Sequence, residues 1–87
     1  MMQGMRIIDA KAKKAVDVAQ VYLTAAEAQY IQKMLGRLLR DPEANEHFHV
    51  EESSRDLSFS IVTPTKLAGN GYTPLERQAL EGICDPA

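Results

Sequence analysis

Tryptophan is absent from the 87-residue chain, and only five aromatic residues occur: Tyr22, Tyr30, Phe48, Phe59 and Tyr72. A core built from this stock must be mostly aliphatic. Cys84 is the only cysteine, which excludes an intrachain disulfide and any C-x-x-C metal or redox motif. With no signal peptide in the sequence, a lone thiol points to the cytoplasm. No apolar run approaches the ~20 residues needed to span a bilayer, so a membrane is not an expected partner. Neither sign of charge dominates: the formal net charge is −2, which argues against a dedicated nucleic-acid binder.

What is present suits a globular protein. The chain is 45% hydrophobic and 25% charged, a composition that disordered segments lack. Its length fits one domain over residues 1–87, with residues 1–4 and 85–87 expected to fray. A domain this small buries only roughly 60% of the surface its unfolded chain exposes, so self-association is a natural supplement to its core. Charge is unevenly spread. Residues 1–40 carry seven Lys/Arg against three acids, and residues 41–87 carry three against nine. Such a split fits a mixed polar surface.

The strongest local signal is Thr24-Ala25-Ala26-Glu27, a capping box ahead of an amphipathic run. Ala28, Ile31, Met34, Leu35, Leu38 and Leu39 recur at helical spacing, predicting a helix over 25–40. Arg37 and Arg40 suit its C-terminal dipole, and Asp41-Pro42 ends it. Gly36 sits inside that helix, where a glycine marks either a close backbone approach or a tolerated surface site. A β-hairpin is predicted next. Phe48 and Val50 share one face of residues 46–51, and Leu57, Phe59 and Ile61 share one face of residues 57–63. A two-residue loop pairs Val50 with Leu57; a four-residue loop pairs Val50 with Phe59; both keep the apolar set on one face. After Pro64 a loop is expected through Gly69-Asn70-Gly71. Thr73-Pro74-Leu75-Glu76 then repeats the capping logic for a helix from Pro74 to about Gly82.

The N-terminal third is ambiguous. Val16 to Leu23 is β-branched and aromatic-rich, which reads as a strand. Residues 5–10 are its expected hairpin partner, turning at Lys11–Lys14. Ile8, Ala12, Ala15, Val16, Ala19, Tyr22 and Leu23 also fit helical spacing. With the strand reading the order is β-β-α-β-β-α. The expected fold class is α+β, one antiparallel sheet with helices packed on one face. Its expected core is Leu23, Ile31, Leu35, Leu38, Phe48, Val50, Leu57, Phe59 and Ile61.

Among side chains that carry chemistry, His47, His49 and Glu51 stand out, because strand alternation puts all three on one polar face. Two imidazoles and a carboxylate are competent metal ligands. The residues expected across the hairpin, Ser58 and Ser60, are poor ones, and no H-E-x-x-H or second histidine pair exists. The three are therefore expected to form a binding face rather than a tight metal or catalytic site, with no cofactor. Cys84 lies near Glu81 and Asp85, whose charge blunts a thiol. Gly69-Asn70-Gly71 lacks the lysine and spacing of a phosphate loop.

The run Val21-Tyr22-Leu23-Thr24-Ala25-Ala26-Glu27-Ala28, followed by His47-Phe48-His49-Val50 and Leu57-Ser58-Phe59-Ser60-Ile61, resembles small bacterial accessory proteins. It is similar to immunity proteins of polymorphic-toxin systems and to short reading frames of mobile elements such as integron gene cassettes. The resemblance spans residues 21–62 and implies a non-enzymatic domain that binds a protein partner or a second copy of itself. It transfers no functional residue. The competing expectation is a small metal- or ligand-dependent enzyme centred on His47, His49 and Glu51.

Overall fold

The computed structural model describes residues 4–84. The elements are β1 (Ile8–Asp9), β2 (Lys14–Ala15), α1 (Ala25–Arg40), β3 (His47–Glu52), β4 (Arg55–Ser60), α2 (Pro64–Ala68) and α3 (Pro74–Ala79). The fold is a small α+β one with two antiparallel two-stranded sheets, β1-β2 and β3-β4. Residues 21–61 form one compact unit, and the two ends of the chain, to Gln20 and from Val62, form another.

The first unit is a helix on a hairpin. The Thr24 hydroxyl accepts from the Glu27 N–H at 3.2 Å, and the Glu27 carboxylate accepts from the Thr24 N–H at 2.8 Å. Two of the helix's orphan donors are thereby satisfied. α1 turns Ile31 and Leu38 inward, where they are buried with Phe48. Met34, Val50, Phe59 and Ile61 pack around them. The rings of Phe48 and Phe59 stack at 5.0 Å, and Tyr30 meets Phe48 edge-on at 6.2 Å. The hairpin takes the two-residue loop: Val50 faces Leu57 and Phe48 faces Phe59, with Glu52 opposite Arg55. Ser53 turns the corner in the left-handed region, at φ 53°.

The chain-end unit uses the same capping chemistry. Asp9 accepts from the N–H groups of Lys11 and Ala12, and Lys13 adopts φ 58°, closing the β1-β2 turn. Thr63 and Thr73 cap α2 and α3, each with proline in the first turn. Arg77 donates to the carbonyls of Leu67 and Gly69, tying α3 to the end of α2. Arg6 donates to the Glu81 carbonyl at 3.1 Å, joining the two ends. Leu80 and Thr63 are buried. Burial, with the charge of Glu76 and then Cys84 nearby, pushes the Tyr72 phenol upward. Gly4 stands so close to Ile83 that a Cβ there would meet its carbonyl oxygen at 2.8 Å.

Several expectations need correction. The four strands do not join into one sheet. Residues 16–23 form neither a strand nor a helix: β2 stops at Ala15, and the Val16 N–H still bonds to the Ile7 carbonyl just past its end. β-branched residues favour a strand only where a pleated surface receives them, and here Val18 and Tyr22 are 85% and 84% exposed. Leu23 and Leu35 do not lie in the core, at 43% and 37% exposure. A hairpin only two strands wide covers a narrow stripe of α1, and Leu35 falls on its flank. Residues 64–68, expected as loop, form α2. Residues 1–3 and 85–87, where fraying was expected, lie outside the described residues, whereas Gly4 is packed.

Candidate functional site

β3 alternates Phe48 and Val50 inward with His47, His49 and Glu51 outward. The register then places Ser60, Ser58 and Asp56 directly opposite those three. A two-residue loop makes its flanking pair, Glu52 and Arg55, a hydrogen-bonded one. Counting from it, the pairs on the polar face are all non-hydrogen-bonded, the kind in which side chains stand closest. The polar face is thus the tighter of the two.

Asp56 completes what His49 and Glu51 begin. His49 Nδ1 lies 2.8 Å from Asp56 Oδ1, with side-chain exposures of 39% and 54%. Ligand-capable atoms of His49, Glu51 and Asp56 all fall within 4.8 Å of one another. The His47 ring meets the His49 ring edge-on at 4.9 Å. Of the three expected residues, His49 and Glu51 converge with Asp56, while His47 stands beside them as a ring neighbour. Asp56 lies between the segments 46–51 and 57–63 expected as strands, so alternation within them does not reach it. The signal that finds it is the continued alternation Asp56-Ser58-Ser60, which becomes visible once the short loop is chosen.

A shallow depression of about 380 Å³ lies beside this face, lined by Glu27, Tyr30, His49 and Glu51 among others. Hydrogen bonds from the Thr24 N–H, and then from its hydroxyl, hold the Glu27 carboxyl below the ordinary glutamate range. Glu27 therefore keeps a negative charge near the depression as well as capping α1. Cys84 is exposed, and Gly69-Asn70-Gly71 connects α2 to α3.

A second feature of the same unit lies on α1. Ala25, Ala28, Gln32, Leu35 and Leu39 are all exposed. Their spacings of three, four, three and four are those of a helix-pairing seam. Leu39 is 66% exposed, and the space over Gly36 is open, with no atom within 4 Å of a Cβ placed there. Among the described residues, no helix is long and apolar enough to cross a membrane. Comparison with protein-family models, curated proteins and solved structures finds no match.

Proposed function

We propose that this protein is a non-enzymatic protein-binding domain of the bacterial accessory type, acting in the cytoplasm as a two-fold homodimer. The exposed seam of α1 carries the reading. Each α1 already uses one stripe on its own hairpin, and the seam is a second, mostly apolar stripe beside the first, with Gln32 at its centre. Its residues differ in size along the helix: Ala25 and Ala28 lie toward the N-terminus, Leu35 and Leu39 toward the C-terminus. An antiparallel partner satisfies that gradient. Two copies related by a two-fold axis passing between Gln32 and Leu35 would set Ala28 of one against Leu39 of the other. Gln32 would then face Leu35. Gly36 lets the backbones approach, and antiparallel helices align their dipoles favourably. Closed two-fold pairing is also the commonest oligomeric arrangement.

Sedimentation equilibrium tests this directly. The expected mass at high micromolar concentration is twice the 9.6 kDa of one chain, and Leu39→Glu should return it to monomer with its circular dichroism unchanged. A monomeric wild-type protein at that concentration sinks the proposal. A metal- or ligand-dependent activity on the hairpin is the second reading, favoured by the convergence of His49, Glu51 and Asp56. It expects turnover to disappear in His49→Ala, whatever the oligomeric state.

A further inference from the structure

We infer that the polar face of the β3-β4 hairpin is a binding site for a borderline divalent cation of the zinc class, with His49, Glu51 and Asp56 as its protein ligands. The starting observation is an electrostatic mismatch. Glu51 and Asp56 are direct cross-strand partners, and like charges facing each other across a ladder are destabilising. Here they share a non-hydrogen-bonded pair, where the approach is closest. His49 Nδ1 lies 2.8 Å from Asp56 Oδ1, and a divalent cation would place two positive charges between the opposed carboxylates.

The donor set fits that class of ion. Zinc takes imidazole nitrogen and carboxylate oxygen at about 2.0–2.2 Å, so two of its ligands stand roughly 3–4 Å apart. The His49 and Asp56 atoms are at 2.8 Å, and all three donors lie within 4.8 Å. Small rotations of exposed side chains close the remaining difference. Metal binding here exchanges the His49–Asp56 hydrogen bond for two bonds to the ion, and a protonated imidazole gives up its proton. Imidazole with two carboxylates suits zinc, cobalt or nickel better than calcium, which prefers an all-oxygen shell. Water fills the remaining positions, because the face is open. Paired strands fix the three Cα positions, so the scaffold needs no folding step to bind. An open site with three protein ligands belongs in the micromolar range rather than the nanomolar range of closed structural sites.

Isothermal titration of the full chain with zinc chloride, in a non-coordinating buffer at neutral pH, is the test. The expected isotherm is one zinc per chain, with His49→Ala and Asp56→Asn each weakening binding about tenfold or more. Glu51→Gln should weaken it as well, while His47→Ala leaves it within about threefold. All four positions are exposed on the hairpin, and far-ultraviolet circular dichroism checks that each variant folds. The dimer-breaking Leu39→Glu variant should bind zinc as the wild type does, which separates this inference from the one on α1. Absence of binding up to millimolar zinc overturns the site. So does a His49→Ala variant that binds as tightly as wild type, or binding that is lost only in His47→Ala.

Discussion

Two residues hold the turns of this molecule in a conformation that ordinary side chains resist. Ser53 and Lys13 sit at φ 53° and 58°, where a Cβ crowds the following carbonyl at a cost of roughly 1–2 kcal/mol. Two-residue hairpin loops ordinarily place glycine or asparagine there. Ser53→Asn keeps a polar side chain that tolerates this region, so it should raise stability by about 0.5–1 kcal/mol. Ser53→Gly should gain at least as much: Ser53 alone of the two loop residues has positive φ, the II′ pattern in which glycine is favoured at the first position. Ser53→Val should destabilise. Urea unfolding midpoints of the three variants rank these effects. If Ser53→Val proves the most stable, the left-handed turn is wrong. The His49–Asp56 pair is a lesser contributor to stability: exposed ion pairs are worth about 0–1 kcal/mol, so its interest lies in its geometry.

At the scale of elements, α1 combines a strong start with a narrow footprint. Removing the cap by Thr24→Ala should cost about 1 kcal/mol. The Glu27 half of the box depends on pH. Its folded carboxyl is held below the ordinary value by the Thr24 N–H and hydroxyl, so its contribution is complete above the unfolded value, about 4.3. That contribution fades as pH falls through the lowered folded value. Helicity followed by circular dichroism in acid should therefore decline earlier in wild type than in Glu27→Gln, whose cap does not titrate. Leu38 is 6% exposed and Phe48 4%; truncating either to alanine should cost about 2–5 kcal/mol. Leu35→Ala should cost under about 1 kcal/mol, since much of Leu35 is already in water. Equal losses at Leu35 and Leu38 in thermal melts would contradict the footprint. These elements also mark how far sequence signals reach. α1, its cap and the inward set of the hairpin were legible because each rests on local periodicity and capping. Residues 16–23 were not, since strand formation needs a partner that no local pattern supplies. α2 was overlooked although Thr63-Pro64 carries the same cap-plus-proline signal as Thr73-Pro74. His49 and Glu51 were found by alternation, whereas Asp56 required the hairpin register.

For the whole molecule, the proposed homodimer would tie stability to concentration. Association of folded chains raises the melting temperature as protein concentration rises, so melts of the wild type should shift upward over a hundredfold increase in concentration. Those of Leu39→Glu should stay put; a wild-type curve that ignores concentration would speak against assembly on α1. The two units also differ in how the chain reaches them. Residues 21–61 are continuous in sequence, whereas the chain-end unit needs segments far apart to meet, as in the bond from Arg6 to Glu81 across 75 positions. Local contacts form fast and distant ones slowly, because the loop between distant partners must first be closed. During synthesis the helix and hairpin are fully delivered by Ile61, while the β1-β2 turn, itself a local pairing, gains its contacts with residues 62–84 only after those are made. The order of folding thus runs against the order of translation: the middle of the chain is finished first, and its beginning is completed last.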